Sequence, residues 1–219
     1  MSEQRKIPRI LEMNEDLTRD NNELAERNHK ILTSHKIKTF DIVGAIGAGK
    51  TAILEKIVEH FSKEKKVYVI CGDITTRIDA DRIEQHGANT IQINTGRECA
   101  LNAYHIHKVI QSLPLDEIDV LFVENVGNLI CPSDFILGVD MRILVVSITE
   151  GEHVIIKHPL LVKMSEILII NKIDLMGILG TDLKRMIEDA KQINPNIKVI
   201  PMSAKTDDNL DLLLKNLQI

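Results

Sequence analysis

The hydrophobic positions of this chain change rhythm along its length, and each change predicts an element. Between Ile7 and Ser34 the sequence is rich in Glu, Asp, Asn, Arg and Lys, yet Ile10, Leu17, Leu24 and Ile31 recur every seven residues with Leu11, Ala25 and Leu32 beside them. That period is close to two helical turns and predicts one helix with a narrow apolar stripe, laid across the protein body or docked on a partner. From Thr39 onward the pattern becomes short apolar runs: Thr39 to Val43, Lys66 to Ile70, Thr90 to Ile93, Asp119 to Val123, Arg142 to Ile148, Ile167 to Ile170 and Lys198 to Ile200. Amphipathic stretches separate them. One is Thr51 to Phe61, with Ile53, Leu54, Ile57, Val58 and Phe61 on one side; others are Ala80 to His86 and a helix through Ser112. Buried strands alternating with helices predict an α/β fold with a mainly parallel sheet flanked by helices.

Composition narrows this picture only modestly. A chain of 219 residues with 44% hydrophobic content can bury one good core. A net charge of −5 without a long basic run argues against a general nucleic-acid surface. No apolar run reaches the roughly 18 residues of a membrane span, and Met1 to Lys6 lacks the apolar stretch of a signal peptide, so the expectation is a cytoplasmic protein with no membrane partner. The three cysteines, Cys71, Cys99 and Cys131, are too few and too scattered for a disulfide framework. Cys71, in an apolar strand, reads as a small buried hydrophobe.

The first chemistry is at Gly44-Ala45-Ile46-Gly47-Ala48-Gly49-Lys50-Thr51, which fits G-x-x-x-x-G-K-[ST] between a predicted strand and a predicted helix. Glycines let successive backbone N–H groups turn toward phosphates, Lys50 brings positive charge to the β and γ oxygens, and Thr51 offers a hydroxyl to Mg²⁺. The dipole of the following helix points its positive end at the same place. This predicts a three-layer P-loop NTPase fold with an N-terminal accessory helix, divided into a helical extension over residues 1–36 and a nucleotide domain over residues 37–219.

Acidic groups cluster where the strands of such a sheet end. Gly72 to Arg82 follows a strand in the position of a first switch loop, so Asp73 and Asp79 reach Mg²⁺, its waters or the attacking water; alternatively Asp79 caps the helix that starts at Ala80. Glu124 stands at the next strand end, with Gly127 three residues on, a D-x-x-G spacing with Glu for Asp. The candidate Mg²⁺ ligands are therefore Thr51, Asp79 and Glu124, and the candidate catalytic residues Lys50, Asp73 and Asp79. Cys99 and Cys131 also each follow a strand and leave the same sheet edge. Two thiolates suit Zn²⁺ or Ni²⁺ but do not close a site. Either a pair from each of two subunits completes it at a dimer interface, or the thiols are unrelated.

The C-terminal third specifies the base. Asn171-Lys172-Ile173-Asp174 is N-K-x-D, in which the Asp174 carboxylate accepts from guanine N1–H and its exocyclic amine, a donor pattern adenine lacks. Asn171 and Lys172 brace the ring and the phosphate loop, and Ser203-Ala204-Lys205 offers backbone N–H groups to guanine O6. In this order the three motifs predict a GTP site.

These motifs, together with Asn94-Thr95-Gly96-x-x-Cys99, Glu124 to Pro132 and Thr149-Glu150-Gly151, resemble the HypB family, the hydrogenase nickel-incorporation GTPases, from about Leu17 to the C-terminus. The resemblance implies a GTPase of the dimerising signal-recognition/MinD-like class that helps load nickel into [NiFe] hydrogenase. It implies a GTP-dependent homodimer with Zn²⁺ or Ni²⁺ held between protomers by Cys99 and Cys131, a nickel-delivery partner and a hydrogenase large subunit as client. A urease-type nickel accessory GTPase and a non-catalytic GTP-gated scaffold are the alternatives. The chain departs from the family pattern C-H-L-D-A by having Ala100 in place of the histidine and Asn102 in place of the aspartate, so thiolates, water or a substitute such as His105 must complete the metal shell. Ile136 and Val139 stand where the family tends to have acidic residues, and the N-terminal C-x-x-C-G-C motif and His-rich stretch of some members are missing between Met1 and Lys38.

Overall fold

The computed structural model describes residues 13–73, 77–96 and 98–219, with the side chains of residues 13–17 left out of the description. The expectations for Ile7, Ile10, Leu11 and the Leu17 side chain, and for the switch residues Ile74 to Thr76, lie outside it.

Among the described residues, seven strands form one parallel sheet in the order β3-β2-β4-β1-β5-β6-β7. In chain order these are β1 (Lys38–Gly44), β2 (Val67–Asp73), β3 (Asn89–Asn94), β4 (Val120–Glu124), β5 (Met141–Ser147), β6 (Ile167–Asn171) and β7 (Lys198–Pro201). The helices are α1 (Met13–Ser34), α2 (Lys50–Phe61), α3 (Ile78–Glu84), α4 (Ala103–Ile110), α5 (Val154–Lys157), α6 (Pro159–Lys163), α7 (Met176–Leu179), α8 (Leu183–Ile193) and α9 (Leu210–Leu217). Central strands β4 and β6 are buried at every position, as expected when helices cover both faces of a parallel sheet.

Alternating side chains sort the core into layers. On one face Phe40, Ile42, Val69, Phe122, Ile143 and Val145 meet Ile53, Leu54, Ile57 and Val58 of α2, Ile83 of α3 and Leu213 of α9. The Phe40 and Phe122 rings stack there at 4.9 Å. The other face carries two separate apolar clusters. One packs Leu32 of α1 and Ile106 and Ile110 of α4 over Ile70, Leu121 and Val123. The second packs α5, α6 and α8 over Val43, Leu144, Val146, Leu168 and Ile170.

The buried face of α1 is rotated from the heptad reading. Asn21, Ala25, Asn28 and Leu32 form the buried row, while Leu24 and Ile31 are only half-buried. Two asparagines belong there because each makes up its lost hydration with backbone bonds. The Asn21 Oδ1 accepts from the Ala103 N–H at 2.9 Å and its Nδ2 donates to the Ile136 carbonyl at 2.9 Å. Asn28 Nδ2 donates to the Ala103 and Leu137 carbonyls at 2.8 and 3.2 Å, and its Oδ1 meets His107 Nδ1 at 2.9 Å. A polarity pattern cannot show a polar row facing inward.

Two boundaries also move. Helix α3 starts at Ile78, so Asp79 lies in its first turn and does not cap it. Helix α4 starts only at Ala103, with Asn102 as its cap, accepting from the N–H groups of Tyr104 and His105 at 3.1 Å each. His105 returns the bond by accepting from the Asn102 N–H at 3.2 Å, and its Nε2 lies 3.4 Å from Glu98. The nitrogens of the histidine named as a substitute ligand are thus engaged locally.

Candidate functional site

Because all strands of the sheet run parallel, their C-terminal ends lie at one edge, and loops leaving that edge build the site. β1 ends in the phosphate loop. Gly49 takes φ 102°, a left-handed conformation, and a side chain there would collide with the Asn171 amide, so glycine is required on both counts. Lys50 is buried and its Nζ donates to the Gly44 and Ala45 carbonyls at 3.1 and 3.2 Å. Burial lowers its pKa, while Glu124 and then Asp79, Glu150 and Asp73 oppose that by stabilising the cation.

Thr51 and Glu124 meet across the floor of a cavity of about 360 Å³ lined by Gly49, Lys50, Asp73, Asp79, Glu124 and Gly127, among others. The Thr51 hydroxyl donates to Glu124 Oε1 at 2.7 Å, leaving Oε2 buried with no hydrogen-bond partner among the described residues. Burial pushes the Glu124 carboxyl up to about 7, against the pull of Lys50 and the Thr51 bond. An orphaned carboxylate oxygen beside a hydroxyl suits a hard divalent cation with oxygen ligands. Asp79 is half-buried and lies 3.7 Å from Arg82, itself in the cavity wall.

β6 delivers the N-K-x-D loop, already braced against the phosphate loop. Asn171 Nδ2 donates to the Ala48 carbonyl at 2.9 Å and its Oδ1 accepts from the Ala204 N–H at 3.1 Å. Lys172 Nζ donates to the Gly47 carbonyl at 2.6 Å. Asp174 Oδ1 accepts from the Ser203 hydroxyl at 2.7 Å, and Ser203 Oγ also takes the Lys205 N–H at 3.3 Å. Phosphate loop, N-K-x-D and S-A-K therefore form one connected frame, with Asp174 half-buried at its open side.

One expectation about the cysteines, that they are too few and too scattered for a disulfide framework, needs correction. Cys99 and Cys131 come together within a single chain, their Cα atoms 6.0 Å apart, and are joined as a disulfide. As such they are not free thiolates, and no group of three or more His, Cys, Asp or Glu residues is placed to hold a metal among the described residues. The cause is topological: β3 and β4 both flank β2, so the loops that follow them converge over its end. Ala100, at the family's histidine position, is buried at 4% exposure. Cys71 is buried, and its surroundings raise its pKa, consistent with an inert core thiol.

Sequence reasoning missed Asn128. Its N–H donates to the Gly44 carbonyl at 3.1 Å, the same oxygen that holds Lys50 Nζ, and its Nδ2 donates to Cys131 Sγ at 3.3 Å. It also missed a buried trio of Asp41, Arg142 and Asn125. The available signal was a charged residue between apolar neighbours in each of two strands, Asp41 between Phe40 and Ile42 and Arg142 between Met141 and Ile143.

Comparison with known proteins agrees with this geometry. The family model for the CobW/HypB/UreG nucleotide-binding domain matches residues 38–201. The chain is 45% identical over 206 residues to the probable hydrogenase maturation factor HypB of Methanocaldococcus jannaschii, covering 94% of this chain and 93% of that one. It is 38% identical over 210 residues to the hydrogenase maturation factor HypB of Escherichia coli, covering 96% and 72%. The crystal structure of HypB from Archaeoglobus fulgidus superposes with a TM-score of 0.86 at 38% identity, over 91% of this chain and 98% of that one. That of HypB from Helicobacter pylori in complex with nickel also gives 0.86, at 30% identity, over 91% and 94%. A LAO/AO transport system kinase, at 17% identity and a TM-score of 0.59, shares the fold alone. With the guanine frame, the phosphate loop and the whole-chain likeness in agreement, the chain belongs to the HypB family of P-loop GTPases within the CobW/HypB/UreG group.

Proposed function

We propose that this protein hydrolyses GTP and acts as a metallochaperone assisting nickel insertion into [NiFe] hydrogenase, with GTP closing a homodimer that shares a Zn²⁺ or Ni²⁺ site. The observation that carries the reading is the path through Asn128. One carbonyl, that of Gly44, holds both Lys50 and the residue that touches Cys131 Sγ. A triphosphate that draws Lys50 away changes the partner set of that carbonyl, and with it the setting of Asn128 and the thiol.

Within this reading the site's groups divide the work. Backbone N–H groups from Gly44 to Thr51 and the Lys50 ammonium bind the phosphates and stabilise charge on the γ-phosphoryl oxygens as its bond to the leaving group breaks. Gly127 lets the backbone approach the γ-phosphate. Thr51 and Glu124, with Asp79 beside them, would hold Mg²⁺, which supplies charge neutralisation on the phosphate oxygens when bound. Asp73 and Asp79 orient the attacking water. With no strong general base among the described residues of the cavity, hydrolysis is slow and serves as a timer. Asp174, with the Ser203, Ala204 and Lys205 backbone, selects guanine. Nickel is cargo; the residues that take it are Cys99 and Cys131 in the reduced state, four thiolates across the dimer. A nickel-delivery partner and the hydrogenase large subunit are the proposed partners, and the cytoplasm the proposed compartment.

A second reading, a GTP-gated scaffold that has lost metal delivery, draws on Ala100 and on the Cys99–Cys131 disulfide. A urease client is a third, since the Helicobacter pylori relative, 32% identical, is named a hydrogenase/urease maturation factor. Phosphate release from GTP but not ATP, at a rate that requires Mg²⁺, supports the catalytic part; nucleotide binding without phosphate release leaves the scaffold.

Glu124 gives this chemistry a pH dependence. Between its ordinary value of 4.5 and about 7 the folded, nucleotide-free protein keeps a proton that the unfolded chain has lost, so stability falls as pH rises through that window. Mg²⁺ must displace that proton. Its affinity for the GDP complex therefore rises about fivefold from pH 6 to 7 and about twofold more before levelling off above about pH 8, measured by Mg²⁺ titration. Glu124→Gln flattens the profile.

A further inference from the structure

We propose that Asp41 is the positioning residue that sets the two cysteine loops against each other, through one buried hydrogen-bond network of which Asn125 also lines the nucleotide cavity while Asp41 and Arg142 do not. The inference builds on the reading that Cys99 and Cys131 are the working thiols.

Asp41 is an unusual residue for its place. It lies mid-strand in β1 between Phe40 and Ile42, is 0% exposed, and faces the seam between the two apolar clusters on its side of the sheet. Burying a charge there is costly unless it is fully paired, and an apolar pair of similar volume would serve stability as well or better. What the charged network supplies is direction. Arg142, opposite Asp41 on β5 and 6% exposed, presents its Nε and Nη2 to Asp41 Oδ2, both at 2.8 Å. That fork leaves the remaining guanidinium hydrogens for two carbonyls: Nη1 donates to Pro132 at 2.9 Å and Nη2 to Phe135 at 2.7 Å. Pro132 is the residue after Cys131.

The other carboxylate oxygen reaches the second loop. Asp41 Oδ1 accepts from Asn125 Nδ2 at 3.1 Å. Because a carboxylate only accepts, it fixes which end of that amide faces it, and Asn125 must turn its oxygen the other way. That oxygen accepts from the Leu101 N–H at 2.9 Å and the Val126 N–H at 3.0 Å. Leu101 is two residues after Cys99. A single carboxylate thus anchors the chain beside each cysteine, and the two Cα atoms stand 6.0 Å apart. An asparagine at position 41 would meet the guanidinium and the Asn125 amide with one acceptor and a donor pair, so one of the two anchors must be released.

The test measures the juxtaposition itself, on the full chain with metal removed by a chelator. Reduced protein is equilibrated with glutathione, each Cys99–Cys131 bond consuming one oxidised glutathione and releasing two reduced ones, and the effective concentration of the thiol pair is read from the balance. In Asp41→Asn it falls by about tenfold or more, while GDP affinity stays within about twofold of wild type. Arg142→Lys keeps the charge but loses the planar fork that holds Pro132 and Phe135, and shows the same fall; it decides the matter if Asp41→Asn does not fold. An unchanged effective concentration overturns the proposal, as does a fall matched by an equal loss of GDP affinity, which marks general destabilisation. If wild-type protein binds no nickel yet the glutathione result is as expected, the metallochaperone reading fails and the positioning role of Asp41 stands.

Discussion

GTP hydrolysis by Lys50→Ala falls about 10²–10³-fold or further, the cost of removing one preorganised charge from a site where the transition state gathers negative charge. The argument rests on where the ammonium sits. Lys50 is buried, held by two carbonyls of its own loop and surrounded by Glu124, Asp79, Glu150 and Asp73, which favour its charged form. In the free protein it is therefore already aimed at the phosphate position. Its loss leaves the Gly44 carbonyl still bonded to the Asn128 N–H, so the fold survives and the defect is in chemistry and phosphate binding. Single-turnover phosphate release, alongside an unfolding midpoint close to wild type, checks both parts.

Asp174→Asn exchanges base preference, with GTP affinity falling about 10²–10³-fold and xanthosine triphosphate gaining. Asp174 offers two carboxylate oxygens; one already accepts from Ser203, and together they match the N1–H and amine of guanine. An asparagine places a donor where guanine presents its amine, and a buried donor facing a donor costs on the scale of a lost charged hydrogen bond, about 1.5–3 kcal/mol for each one broken. Xanthine presents a carbonyl there and restores the match. Competition of the two triphosphates against a fluorescent guanine nucleotide measures the exchange. Equal losses for both indicate that the loop has collapsed.

The motifs that were legible in the sequence share a physical character: each is a short local run whose function is set by its own backbone. The phosphate loop, N-K-x-D and S-A-K are each a contiguous run at the end of a strand, recognisable before the bonds that join them, such as Asn171 to Ala48 and Ser203 to Asp174, are known. Strand cores were legible because burial on both faces makes them short, nearly continuous apolar runs. What the sequence concealed depends on distant partners. The inward row of α1 carries Asn21 and Asn28, whose partners at Ala103, Ile136 and Leu137 lie far along the chain. Cys99 and Cys131 are separated by 32 residues, and only the adjacency of β3, β2 and β4 brings them together. Asp41 and Arg142 reside in separate strands 101 residues apart, and neither strand alone tells which charge it faces.

The structure holds the nucleotide frame and the cysteine pair at one sheet edge, with Asn128 between them, but it joins the cysteines to each other. The proposed function requires that bond to be open when metal is taken. Titrating Ni²⁺ into protein reduced with a phosphine, in its GDP form and with a slowly hydrolysed GTP analogue, tests that requirement most directly. The expected result is a tighter site in the GTP-analogue form, with one Ni²⁺ for each pair of chains, abolished by Cys131→Ser. Equal affinity and stoichiometry in both nucleotide states, unchanged by Cys131→Ser, would contradict it.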